Sequence, residues 1–192
     1  MAGPRHSSGV QKNLALVPPV GTRSTDFRDV FEAEFGYVLR TLHFLGVRGA
    51  DAEDVAHDVF LAVFRHFADY DPSRPVRPWL FAFTYRAARD FRALARHRAT
   101  ALGDAERFVD PSPLPDALAM RAELQALALR ALDVLDEDER AVLVAHDLNE
   151  LAAPEVARAL AVPLNTVYSR LRRARSKFEA AARRFRAQEK NQ

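Results

Sequence analysis

Apolar residues in this chain recur three and four positions apart, and nowhere do they alternate over a length that would build a strand. That periodicity commits the chain to helices, each packed by one stripe. Ala, Leu, Arg and Glu are frequent, and their helix propensity points the same way, to an all-α fold. Thr25 and Asp26 offer an N-cap, after which Phe27, Val30, Phe31, Phe35, Val38, Leu39 and Leu42 follow at helical spacing. Gly46 and Gly49 punctuate. Asp51 is the expected cap of a second helix, whose apolar face is Val55, Val59, Phe60, Val63, Phe64 and Phe67. The stretch "DYDPSRPVRP", 69–78, carries three prolines and is a loop. A third helix is expected from Trp79 to His97, with Trp79, Leu80, Phe83, Ala87, Phe91 and Leu94 facing inward.

The spacing weakens in "ATALGDAERFVDPSPLPD", 99–116, which reads as a flexible linker. Helix resumes at Ala117 with Leu118, Met120, Leu124, Leu127, Leu132 and Leu135, and Asp136 to Glu139 cap the next one. Asn149 and Glu150 end it. Pro154 sits just inside a short helix to Leu160, Val162-Pro163 makes a turn, and a longer helix follows: a helix-turn-helix. Two small helical domains result, 25–98 and 117–186, behind a flexible tail at 1–24. In that tail "LALVPPV" is too short and too proline-broken for a signal peptide. No apolar run approaches the roughly 20 residues needed to cross a bilayer, so a cytoplasmic protein is expected.

Charge decides what the helices are for. The formal net charge is only +2, yet acid concentrates at Asp51–Asp58 and Asp133–Glu139 and base at Arg86–Arg98 and Arg170–Arg186. In "VPLNTVYSRLRRARSKF", 162–178, Val167, Leu171, Ala174 and Phe178 form a stripe, opposite Asn165, Ser169, Arg172, Arg173 and Ser176, with Thr166, Tyr168 and Arg170 on the shoulders. Amide, hydroxyl and guanidinium groups on one helix face suit a major groove; a solvated basic helix or half of a coiled coil is the plainer alternative. The preceding short helix and turn favour DNA.

A second basic face, Arg86, Arg89, Arg92 and Arg96, runs along the third helix beside Tyr85, just after Tyr70, Arg74 and Arg77. Aromatic rings among guanidinium groups suit single-stranded bases, although Trp79, Phe81 and Phe83 also serve as core candidates. Asp54, His57 and Asp58 lie within one turn. A docking face for a basic partner beside Leu61 explains them better than a metal site does. No cysteine, phosphate loop, zinc spacing or Ser-His-Asp order is present, so neither an enzyme nor a cofactor is indicated. A conventional dimeric helix-turn-helix repressor accounts for 133–178 but leaves the aromatic segment 69–98 idle.

Three segments together carry a family resemblance. "DAEDVAHDVFLAVF" resembles region 2.1–2.2 of the sigma-70 superfamily, in its extracytoplasmic-function type. "RPWLFAFTYRAARDFRALARHR" resembles region 2.3–2.4, and "LDEDERAVLVAHDLNELAAPEVARALAVPLNTVYSRLRRAR" resembles region 4. The resemblance covers about 25–98 and 115–180. It implies a non-catalytic, dissociable subunit that binds core RNA polymerase, through its β′ and β subunits, and directs promoter-specific initiation. It implies polymerase docking by Asp54, His57, Asp58 and Leu61, and melting and reading of the −10 element by Tyr70, Asp71, Arg77, Trp79, Arg86, Arg89 and Arg92. Reading of the −35 element falls to Asn165, Thr166, Tyr168, Ser169, Arg172 and Arg173, with the linker threading toward the polymerase active-site channel. A monomer when free is implied, and sequestration by an anti-sigma factor is common in the family. His57, Arg86, Ala152 and Asn165 stand where the family usually has Gln, Asn, Ser and Gly. With Ala152 there, the cap of the short helix falls to Asn149 or to none.

Overall fold

A computed structural model describes residues 26–102 and 116–189 of the 192-residue chain, and every regular element among them is helical. The tail at 1–24 and most of the expected linker, 103–115, lie outside the described residues.

Helix α1, Phe27–Phe44, opens on Asp26, whose carboxylate accepts from the Arg28 N–H at 3.4 Å. It closes where Gly46 takes φ 93°, letting the Val47 N–H reach back to the Leu42 carbonyl at 2.9 Å and dropping Val47 into the core. Helix α2, Asp51–Arg65, has no side-chain cap. Asp51 stands inside the first turn with Glu53 and Asp54, where the three carboxylates favour the positive end of the helix dipole. Val55, Val59, Phe60 and Val63 are buried as expected, but Phe64 is 61% exposed. Its position lies past the edge of the buried stripe, and only its edge-on contact with Phe27, 5.0 Å between centroids, ties it down.

After a single 3₁₀ turn, Phe67–Asp69, α3 runs Val76–Leu102, starting earlier and ending later than the sequence suggested. Pro78 is tolerated because N–H groups of a first turn have no intrahelical acceptor. Leu80, Phe81, Thr84 and Ala88 are its buried line, so the helix is rotated from the expected face: Phe81 is core and Leu94 is exposed.

The second half contains α4, Asp116–Asp133, and α5, Glu137–Leu143, which passes into a π-helical turn at Val144–Leu148. It continues with α6, Ala153–Leu160, and α7, Leu164–Glu189. Asp136 caps α5 by accepting from the Glu139 N–H at 2.8 Å. Asn149 does not cap α6. Ala152 holds the N-cap position, its N–H donating to Glu155 Oε2 at 2.9 Å. The turn into α7 passes through Ala161 in the left-handed region, φ 54°.

Helices α1, α2 and α3 pack on one another, while α4, α5 and α6 all pack on α7. Burial lines from both groups join in one apolar cluster, because α3 also packs on α6. No helix among the described residues is long and apolar enough to cross a membrane.

Two backbone positions give opposite expectations. Gly46→Ala forces a Cβ into left-handed φ, about 2.5 Å from the Arg140 guanidinium, and should cost about 1–2 kcal/mol. Ala161→Gly relieves the same strain and should stabilise by about 0.5–1 kcal/mol. Urea denaturation checks both, and equal signs would contradict the assignment.

Candidate nucleic-acid interface

The stripe expected on α7 is what holds it: Val167, Leu171 and Ala174 are buried and Phe178 is half-buried. The arginines beside it divide. Arg170 pairs with Asp138. Arg175 grips Asp147 through two hydrogen bonds, 2.7 and 2.6 Å, which hold its guanidinium above the usual range. Arg173 leans toward Glu139 at 3.7 Å, and Lys177 contacts both oxygens of that carboxylate at 2.8 and 2.7 Å. The Glu139 side chain is only 3% exposed. A charge that deep is tolerable only with cations against it.

Much of the positive density that marks α7 in the sequence therefore neutralises the acidic start of α5 and the acid that follows α5. Arg172 has no ionic partner among the described residues. It projects from the first turns of α7 with Asn165 and Ser169, beside Tyr168, which is 53% exposed. Thr166 is half-buried, and its carbonyl accepts from the Ser169 hydroxyl at 3.0 Å. Five expected groups thus share one surface, and Arg173 sits at its edge.

On the other face, loop and helix build an aromatic platform. Tyr70 stacks on Trp79 with centroids 4.9 Å apart, Trp79 meets Phe83 edge-on at 5.1 Å, and the Arg86 guanidinium lies over Phe83 at 5.9 Å. The Tyr70 hydroxyl donates to the Arg74 carbonyl at 2.8 Å, and burial with the Asp71 charge raises its pKa. Asp71 accepts from the Ser73 hydroxyl and N–H at 2.6 and 3.0 Å; these bonds hold its carboxyl below the ordinary range and shape the loop. Arg89, exposed one turn past Arg86, continues the face.

Two expected members do not join. Arg77 pairs with Glu34 at 2.9 Å and lies over the Tyr37 ring, fastening α3 to α1. Arg92 is half-buried, turned toward Gly46 and Arg140. Phe83 is a member that the residue pattern left as a core candidate. Between the platform and α6 lies a crevice of about 530 Å³, with Tyr70, Arg74 and Trp79 on one wall and Glu155 and Arg158 on the other.

On α2, Asp54, His57 and Asp58 are exposed in one patch with Leu61, itself 54% exposed. His57 Nδ1 lies 2.8 Å from the Glu53 carbonyl, and its ring is against Phe35. Phe64, one turn beyond Leu61, extends the patch and was missed because its spacing fits the core stripe. No cluster of metal-ligating side chains occurs among the described residues.

Comparison with known proteins decides what these faces belong to. The family model for Sigma-70 region 2 matches residues 30–99, and that for Sigma-70, region 4 matches 125–178. The RNA polymerase sigma factor CnrH of Cupriavidus metallidurans is 34% identical over 144 residues, covering 70% of this chain and 75% of that protein. The chain belongs to the sigma-70 family, in its extracytoplasmic-function group. The ECF RNA polymerase sigma factor SigE of Mycolicibacterium smegmatis is 33% identical over 143 residues, 73% of this chain and 55% of SigE. The structure of CnrH in complex with the cytosolic domain of CnrY superposes with a TM-score of 0.60 at 27% identity, covering 80% of this chain and 85% of CnrH. The fold is shared with the sigma factor RpoE of Bartonella quintana, solved with the anti-sigma factor NepR, at a TM-score of 0.64 and 19% identity over 82% of this chain and 97% of RpoE. The activity of this sigma factor is promoter-specific transcription initiation.

The division of cations on α7 is directly testable. Lys177→Met strips the main counter-charge from buried Glu139 and should cost about 2–3 kcal/mol of stability. Arg172→Ala, with no ionic partner to lose, should stay within about 0.5 kcal/mol of the parent. Equal losses in urea denaturation would contradict the division.

Proposed function

We propose that this sigma factor docks on core RNA polymerase through α2, takes the opened −10 strand on the aromatic platform and α3, and reads the −35 duplex with α7. The observation that carries the reading is the partner-free polar surface on the first turns of α7, in the second helix of a helix-turn-helix. Arg172 can grip guanine bidentately, Asn165 suits adenine, and Thr166 and Ser169 near the helix N-terminus suit phosphate. Tyr168 and Arg173 flank them.

Tyr70, Trp79, Arg86 and Arg89 supply stacking and backbone charge for unpaired bases, with Phe83 beneath. Asp71 keeps the loop in shape, and Arg77 fixes the start of α3. Melting then needs no nucleotide hydrolysis: captured bases and polymerase binding offset an unstacking cost of a few kcal/mol. Asp54, His57, Asp58 and Leu61, with Phe64, form a mixed acidic and apolar surface for the β′ subunit, and the region 4 module meets β. On this reading the chain is a non-catalytic, cytoplasmic subunit, monomeric when free, with working modules at 25–98 and 117–186. Sequestration by an anti-sigma factor is proposed on the resemblance alone.

Run-off transcription with core polymerase on genomic fragments tests the groove assignment. Arg172→Ala should weaken promoter binding roughly 5- to 150-fold, the range given by about 1–3 kcal/mol per base contact, while polymerase still co-purifies. Normal initiation by that variant at −35-dependent promoters would overturn it. Replacing Asp54 and Asp58 with Lys should release the protein from core polymerase; undiminished co-purification would remove the docking assignment.

A further inference from the structure

The acidic segment Asp133–Glu139 makes more contacts than a capped helix start requires. Glu139 takes Lys177 and Arg173, and Asp138 takes Arg170, all from the helix assigned to duplex DNA. The same segment reaches the other module. Glu137 lies 3.6 Å from Arg96 of α3, and Asp133 accepts from Arg48, in the loop after α1, at 2.9 and 3.0 Å. Tyr85, on the same side of α3 as the arginines, is half-buried, and burial together with the Asp138 and Glu137 charges raises its pKa.

The contact is built at more than one point. Thr41 is fully buried, its hydroxyl donating to the Tyr37 carbonyl at 2.8 Å and accepting from Asn149 Nδ2 at 3.0 Å. Asn149, the residue free to cap α6, is thus used to fasten the π turn to α1. Arg140, 3% exposed, is held by the Leu132 carbonyl and Asp133 and lies against Gly46, where no side chain fits. Between these points α6 rests on α3, and Arg92 is turned into the seam.

We propose that Asp133–Glu139 acts as a built-in substitute for DNA phosphate, closing the resting chain by engaging cations of both DNA-reading modules and covering the Tyr85–Arg92–Arg96 side of α3. The inference rests on the assignment of α3 and α7 to DNA given above. It explains why Arg92 is absent from the exposed platform: that side becomes available only when the modules part. Ion pairs and one amide bond hold much of the seam, and polar seams between domains separate at modest cost.

The chain contains no cysteine, so one engineered pair is diagnostic. In the full-length protein with Thr41→Cys and Asn149→Cys, a disulfide should form without denaturant. The oxidised form should direct run-off transcription with core polymerase at least about tenfold more weakly than the reduced form, as expected when fewer than about one molecule in ten is open. Dithiothreitol should restore it. Arg48→Glu, a change in an exposed loop, should instead raise polymerase-independent binding of a fluorescent single-stranded oligonucleotide several-fold at low salt. Failure of the disulfide to form, or equal activity of oxidised and reduced protein, overturns the closure. No gain in oligonucleotide binding by Arg48→Glu also overturns it. A wild-type chain that itself directs no initiation sinks the DNA assignment, and this inference falls with it, whereas an active wild type with an equally active locked form refutes closure alone.

Discussion

A carboxylate buried to 3% exposure, Glu139, sets the terms for the second half of the molecule. It cannot remain charged at the start of α5 unless cations come to it, and the cations available are Lys177 and Arg173 on α7. Supplying them fixes the rotation of α7 about its axis. Val167, Leu171 and Ala174 then fall inward, and Asn165, Tyr168, Ser169 and Arg172 fall outward. Arg170–Asp138 and Arg175–Asp147 repeat the constraint on either side. The surface offered to a groove is what remains once the scaffold has taken its share of the arginines.

The first half is organised by aromatic packing. Phe27, Phe31, Phe35 and Phe60 interlock edge-on and tilted across α1 and α2, and the series continues through Phe67 to Tyr70, Trp79 and Phe83. Core and platform are one continuous set of rings that surfaces beside the loop. The proline-rich segment, with its Asx turn at Asp71, keeps the outermost rings half-exposed. A base arriving there meets a rigid surface, which lowers the ordering cost of capture.

Local spacing carried most of the fold. The helices, the caps at Asp26 and Asp136, and the helix-turn-helix follow from periodicity and end signals, and the observed elements agree. What spacing could not carry was partner choice across the fold. Nothing near Arg77 in sequence indicates Glu34 and Tyr37, 40 or more positions away, and nothing near Arg92 indicates Arg140. Phe64 matches the core stripe by count and lies outside it in space, and Leu94 does the same. The π turn at Val144–Leu148 and the use of Asn149 against Thr41 depend on tertiary contact alone.

The central claim is that DNA recognition is latent in the free chain, because its own acids occupy the cations that DNA would use. Footprinting on a promoter fragment at physiological salt tests it, with the chain alone, core polymerase alone and both together. Protection of two separate stretches, one duplex and one opened, is expected only for the mixture. Strong, salt-resistant protection by the chain alone would contradict the account.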